Sequence, residues 1–310
     1  MQVYKCWENR EKTLYNFSVV KYNTLITNER TLKEKEKFKM KKLIALLLAT
    51  LMVLAFAGCG SDNGNNSGNS AGRTFIMGID AEYPPFSYMN DAGDYAGFDV
   101  EICKAACELL GWKFEVFAVN WDQKLIQLDA NECDCVWSGM TILDSMKEAG
   151  YVISTPYFDN TQVLLVKSDS GINSSSDLAG KAVAVQLGTS GEALLNGDLA
   201  ELKDTFGELV TCDSFLKCFT ELEGNAVDAV LVDYPVAKSY ADSKGDSLKI
   251  INEELGAEQY GIAFRKGDND TCKAIEEAVQ KLVESGKYAE IASKDEYKEI
   301  VNNLIFLNNK

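Results

Sequence analysis

The chain has 310 residues, 46% hydrophobic and 25% charged, a composition that fits one or two globular domains and excludes a disordered or multi-span protein. It has no histidine, which excludes Ser-His-Asp and Cys-His nucleophilic sites, histidine proton shuttles and histidine-ligated metals. The formal net charge of −16 argues against a nucleic-acid partner, because binding a phosphate backbone needs clustered Lys and Arg.

Residues 1–39 carry 9 Lys/Arg against 5 Asp/Glu with little apolar periodicity, so they do not read as core. Met40-Lys41-Lys42 then precedes an apolar run over residues 43–57 that ends in small residues before Cys59. A basic start followed by about 15 apolar residues is a secretory signal, too short for the roughly 20 residues of a membrane span. Ala57-Gly58-Cys59 resembles the lipobox of bacterial lipoproteins, which implies a diacylated Cys59 at the start of the mature chain, anchored to the cell membrane and extracytoplasmic. The polar stretch over residues 61–72, rich in Ser, Gly and Asn, suits a flexible tether. If the signal occupies residues 40–58, residues 1–39 lie upstream of the true start codon.

From Cys59 onward 252 residues carry 20 Lys/Arg and 42 Asp/Glu, and seven further cysteines: Cys103, Cys107, Cys133, Cys135, Cys212, Cys218 and Cys272. Their spacings are not metal-like, and an odd number leaves at least one thiol free. They read as buried, unpaired, hydrophobe-like residues, with one or two disulfides as the alternative.

Residues 74–79 form a short apolar strand. Residues 98–110 are an amphipathic helix, with Asp99 as its expected N-cap and Gly111 just past its end. Residues 113–119 alternate like a strand, 122–129 are helical and 133–137 form a second buried strand. Further strands are predicted over 163–167, 182–185 and 229–232, with helices starting at Gly191, Cys212 and Tyr234 between them. Residues 269–285 and 288–302 close the chain with helical periodicity. This alternation predicts an α/β protein of two lobes, each a mostly parallel sheet with helices on both faces and ligand positions at the carboxyl ends of strands.

Eight segments then occur in order: Ile79-Asp80-Ala81-Glu82-Tyr83-Pro84-Pro85-Phe86-Ser87-Tyr88, Gly97-Phe98-Asp99-Val100-Glu101-Ile102, Asn120-Trp121-Asp122, Ser138-Gly139-Met140-Thr141-Ile142, Thr155-Pro156-Tyr157, Asp177-Leu178-Ala179-Gly180-Lys181, Gln186-Leu187-Gly188-Thr189-Ser190 and Val232-Asp233-Tyr234-Pro235-Val236. Together they resemble the polar amino acid-binding family of extracellular solute-binding proteins, the receptors of ABC importers, over about residues 75–298. The resemblance implies a periplasmic binding protein-like fold in which two lobes, joined by two hinge strands, close on a ligand. The crossings are expected near residues 163–167 and 260–264, giving lobe 1 over 73–167 and 258–310 and lobe 2 over 168–257. It also implies a monomer that captures a small polar ligand, an amino acid or similar solute, and delivers it to ABC permease subunits.

Asp80, at the carboxyl end of the first strand, is a candidate for a ligand ammonium, although an Asp before Pro-Pro is often structural. Tyr83 and Trp121 match the two aromatic positions that sandwich a ligand side chain in the family. Ser138, Gly139 and Thr141 offer a hydroxyl and backbone groups on the loop after a buried strand, and Gln186 and Ser190 belong to the segment facing it in the family pattern. Thr189 to Glu192 has capping-box spacing, so Thr189 stands either at a helix start suited to a carboxylate or in a plain helix cap. Asp233 matches the family acid that pairs with the ligand α-ammonium.

One departure stands out. The family arginine that grips the ligand α-carboxylate falls on Met146 here, with Lys147 next. A one-residue insertion would put Lys147 in its place, with charge but without the planar fork. The other readings are that Thr189 and the helix start hold the carboxylate alone, that the ligand is not an ordinary α-amino acid, or that Lys147 is a solvated surface lysine. An enzyme on this scaffold, of the cyclohexadienyl or arogenate dehydratase kind, would need a general acid in the cleft, and none stands out. No phosphate loop or nucleotide fingerprint is present, so no cofactor and no turnover are expected.

Overall fold

The computed structural model describes residues 72–308. The basic extension, the signal, Cys59 and the tether, apart from its last residue, lie outside the described residues. The first strand, β1 (Thr74–Ile79), is buried at four of its last five positions and pairs in parallel with β5 (Lys113–Ala118) and β6 (Cys135–Val136). β14 (Ala263–Phe264) joins antiparallel to β6 and to β7 (Val152–Ile153), which gives the sheet order β5-β1-β6-β14-β7. Between β1 and β5 runs α1 (Phe98–Leu110), which buries one face against α8 (Asn269–Glu284). It ends where Gly111 adopts the left-handed conformation that a residue with a Cβ resists.

The second sheet has the order β10-β9-β11-β8-β12, built from β10 (Glu208–Cys212), β9 (Ala182–Gln186), β11 (Ala229–Asp233), β8 (Phe158–Lys167) and β12 (Leu248–Ile250). β9, β10 and β11 are parallel, whereas β8 runs antiparallel to β11 and β12. The sheet's helices include α4 (Ser190–Asn196), α6 (Phe215–Glu223) and α7 (Tyr234–Lys244). Both sheets are therefore mixed, with three parallel strands on one side and antiparallel pairings on the other.

Three sequence expectations shift. The crossing expected at 163–167 lies inside the second sheet, because Val163 to Val166 are buried between β11 and β12. The chain passes between the sheets one half-strand earlier, where Phe158 to Gln162 of β8 pair with β13 (Gly256–Tyr260). Asp99 is not the N-cap of α1. Gly97 holds that place at φ 120°, and a Cβ there would stand 2.3 Å from the Phe86 carbonyl oxygen. The predicted helix over 288–302 is broken into α9 (Lys287–Ala292) and short 3-10 turns. All seven cysteines named above are buried and free. No helix among the described residues is long and apolar enough to cross a membrane.

Candidate functional site

The carboxyl ends of β1, β9 and β11 converge on one cleft, because parallel strands deliver their following loops to the same edge of each sheet. Its empty space, the open mouth included, is about 320 Å³. Tyr83, Trp121, Lys124, Gly139, Met140, Thr141, Leu143 and Met146 line it from the first sheet's side, and Gly188, Thr189, Ser190 and Asp233 from the second. Seven of the residues singled out in the sequence thus reach this wall: Tyr83, Trp121, Gly139, Thr141, Thr189, Ser190 and Asp233.

Asp233 closes β11 and is almost fully buried. Its Oδ1 accepts from Asn160 Nδ2 at 2.7 Å, Gln162 Nε2 at 2.9 Å and Tyr260 OH at 2.8 Å. The Tyr83 hydroxyl lies 2.8 Å from that of Tyr260, whose proton is engaged with Asp233, so Tyr83 donates. The same two amides also donate to Glu258 Oε1, at 2.7 and 3.0 Å, as does Thr141 Oγ1 at 2.9 Å. Two carboxylates therefore share donors, and no lysine or arginine among the described residues forms an ion pair with either. Burial first, and Glu258 second, push the Asp233 carboxyl well above its ordinary range. Asn160 Oδ1 and Gln162 Oε1, both buried, accept no hydrogen bond from the protein.

The cleft wall also holds Lys124, buried three residues after Trp121. Its Nζ donates to the carbonyls of Trp121 at 3.1 Å and Gly188 at 2.6 Å, and sits 4.6 Å from the Trp121 ring centroid. Burial lowers its ammonium to about 8, against the pull of Asp122, Asp80 and Glu192. The Gly188 contact ties the two sheets' loops together.

Other expected site residues stand elsewhere. Asp80 and Gln186 do not line the cleft. The Gln186 amide donates to Asp80 Oδ2 at 2.8 Å and joins the two strand ends, while Asp80 Oδ1 accepts the Glu82 N–H. Ser138 is fully buried, and its hydroxyl is held by the Asp80 N–H and by Ser87. Lys147 is half-exposed on α3 (Asp144–Glu148), beside Asp144 at 3.5 Å, while Met146 is buried in the cleft wall. The helical turn settles this: neighbouring residues point about 100° apart, so only one of the two can face inward. Lys147 therefore points away from the cleft wall. The Thr189 hydroxyl donates to the Gln186 carbonyl and accepts the Glu192 N–H, and the Glu192 carboxylate takes the Gly188 N–H at 2.7 Å.

Sequence reasoning missed Lys124, Glu258, Asn160, Gln162 and Tyr260. Alternation along β13 could have found Glu258, since Gly256, Glu258 and Tyr260 share a strand face. It also missed the role of Asp99, which is fully buried and accepts from the Gly139 N–H at 2.8 Å and the Tyr157 hydroxyl at 2.7 Å. That carboxyl holds the loop carrying Gly139, where φ is 52° and a Cβ would meet the Tyr83 ring at 2.3 Å.

The sequence model of the bacterial extracellular solute-binding proteins, family 3, matches residues 75–294. The L-cystine-binding protein TcyJ of Escherichia coli (strain K12) is 31% identical over 250 residues, covering 80% of this chain and 90% of that protein. The arginine-binding extracellular protein ArtP of Bacillus subtilis (strain 168) is 31% identical over 264 residues, covering 82% and 98%. Among solved structures, the substrate-binding protein of an ABC uptake transporter from Streptococcus pneumoniae with bound histidine matches with TM-score 0.69 at 27% identity, covering 75% of this chain and 94% of that one. An ancestral arginine-binding protein bound to arginine matches with TM-score 0.67 at 32% identity, covering 75% and 100%.

Proposed function

Because the chain belongs to the bacterial extracellular solute-binding proteins, family 3, we propose that it is the receptor of an ABC importer, capturing an amino acid or similar small polar solute in this cleft and delivering it to the permease. One observation carries the reading: a cleft shared between two sheets ends on a buried carboxylate, Asp233, that has hydrogen-bond donors but no counter-charge. A cationic nitrogen on the ligand would supply that charge. Tyr83 and Trp121 would pack its apolar part from one side, while Thr189, Ser190 and Asp233 approach from the other. β8 and β13, the paired strands between the sheets, would act as the hinge. Dividing the ligand's contacts between two bodies is what makes binding favour closure.

The site suits binding without turnover. Asp233 Oδ1 is occupied by three donors, which fix the carboxyl in the cleft wall. The relatives named above are binding proteins. Cys59 in its lipobox-like setting would anchor the receptor outside the cell membrane after removal of residues 40–58, and incorporation of labelled palmitate, lost in Cys59→Ala, tests the anchor. Unfolding the purified chain and identifying the released solute by mass spectrometry tests the receptor. An intact small solute supports it, whereas an aromatic keto acid would point to a dehydratase.

A further inference from the structure

We infer that the cleft takes a small organic cation lacking a free carboxylate, an amine or guanidine rather than the parent α-amino acid; this rests on the cleft being the solute site. Charges and donors in the cleft must balance. An α-amino acid brings one anionic group, and its burial requires a cation or converging free donors. Where the sequence raised the prospect of a cation, the cleft wall holds the thioether of Met146, flanked by Met140 and Leu143. Lys147 is on the outside, beside Asp144.

Lys124 is the one cationic residue in the wall, and it is committed. Its Nζ bonds two backbone carbonyls, stacks on Trp121 and lies within the field of Asp80, Asp122 and Glu192. At the Gly188–Thr189 turn an internal carboxylate, that of Glu192, already takes the Gly188 N–H, and the Thr189 hydroxyl is used on both sides. Around Asp233 acceptors are in excess: its own carboxylate in the cleft wall and, behind the wall, Glu258 and the buried carbonyl oxygens of Asn160 and Gln162, which accept nothing from the protein. A ligand carboxylate would add a further acceptor and a further negative charge. An ammonium or guanidinium supplies what is lacking, donors and one positive charge, while the methionine and aromatic walls take its carbon skeleton.

Matched pairs that differ only by the carboxylate test the inference: agmatine and L-arginine, cadaverine and L-lysine, tyramine and L-tyrosine. Each is titrated calorimetrically into the full chain after unfolding and refolding to remove any bound solute. The decarboxylated member of at least one pair should bind tenfold or more tighter than its partner, a difference of about 1.4 kcal/mol. If the amino acid binds as tightly or more tightly in every pair that binds, the inference fails and the receptor reading stands. Silence from all six compounds would overturn the inference, while the receptor reading is tested separately by the solute released on unfolding. Met146→Arg gives a second arm: in a variant that still melts cooperatively, the amino acid of the binding pair should gain at least tenfold. No gain would remove the argument from Met146 and overturn the inference.

Discussion

Gly188 offers a way to disturb closure while leaving each sheet intact. It sits at φ 72°, and a Cβ built on it would stand 2.6 Å from Asp122 Cα and 3.1 Å from both Asp122 N and the Trp121 carbonyl oxygen. Those atoms are backbone on the opposite side of the cleft, so no rotamer change relieves the clash. Ordinary carbon contacts lie at about 3.5–4.0 Å, so Gly188→Ala must part the loops by about 1 Å. The Lys124–Gly188 bond, now 2.6 Å, would then lengthen beyond hydrogen-bonding range. A charge-assisted bond of this kind contributes about 1.5–3 kcal/mol net, so the dissociation constant of the tightest cation from the paired titrations should rise about 10- to 150-fold. The left-handed backbone adds about 1–2 kcal/mol of strain, but it falls on open and closed forms alike and should lower the ligand-free melting temperature by only a few degrees. Calorimetric titration measures the first effect and a thermal melt the second. A dissociation constant within threefold of wild type would refute the claim that the two loops must meet for binding.

Other groups give sharper pH and chemical signatures. The Asp99 carboxyl, raised by burial from its ordinary 3.8 to about 7, keeps one more proton folded than unfolded across that interval. Stability should therefore fall by up to ~4 kcal/mol as pH rises from about 4 to 7 and change no further above it, and urea denaturation of wild type against Asp99→Asn should isolate this slope. The Asp233 carboxyl is raised as well, with Glu258, Tyr83 and Tyr260 facing it, so binding a cation should expel a proton and tighten with rising pH until the ligand amine itself titrates. Titrations in buffers of different ionisation enthalpy should give different apparent enthalpies, and identical ones would contradict the shift. The seven buried cysteines, with Cys133 and Cys272 pushed up to about 12, should resist a thiol reagent at pH 8 until the chain is unfolded.

Much of the frame was legible because it follows from periodicity. β1, β9 and β11 lie within a residue or so of their predicted bounds, since buried parallel strands are short apolar runs ended by polar or turn residues. Asp233 was found because it ends such a run and matches the family acid, Thr189 through its capping-box spacing with Glu192, and Trp121 only through the family resemblance. What stayed hidden depends on facing rather than spacing. Asp99 has cap chemistry at a cap-like position, yet it shares the inward stripe of α1 with Ile102, Cys103 and Ala106, and Gly97 had already taken the cap. Lys124 shares a helical face with Leu128 and is buried with it; a lysine on an apolar stripe was the overlooked signal. The choice between Met146 and Lys147 turned on one residue of register, which only the turn of α3 decides.

The same facing explains why ligand charge and closure should be coupled. Asp233 is held by Asn160, Gln162 and Tyr260, all neutral donors. They fix the carboxylate and satisfy lone pairs, but they cannot cancel a charge. While the cleft is open, water does that work. When the Gly188 and Trp121 loops meet, the water is displaced, and the carboxylate must take up either a proton or a cation. A neutral solute leaves the proton as the only choice, so its closed complex bears the full cost of protonation at neutral pH. A cation removes that cost and gains a charge-assisted bond in the same step. Selectivity of this kind needs no additional recognition residue, because the cost of closing over Asp233 is itself what distinguishes one solute from another.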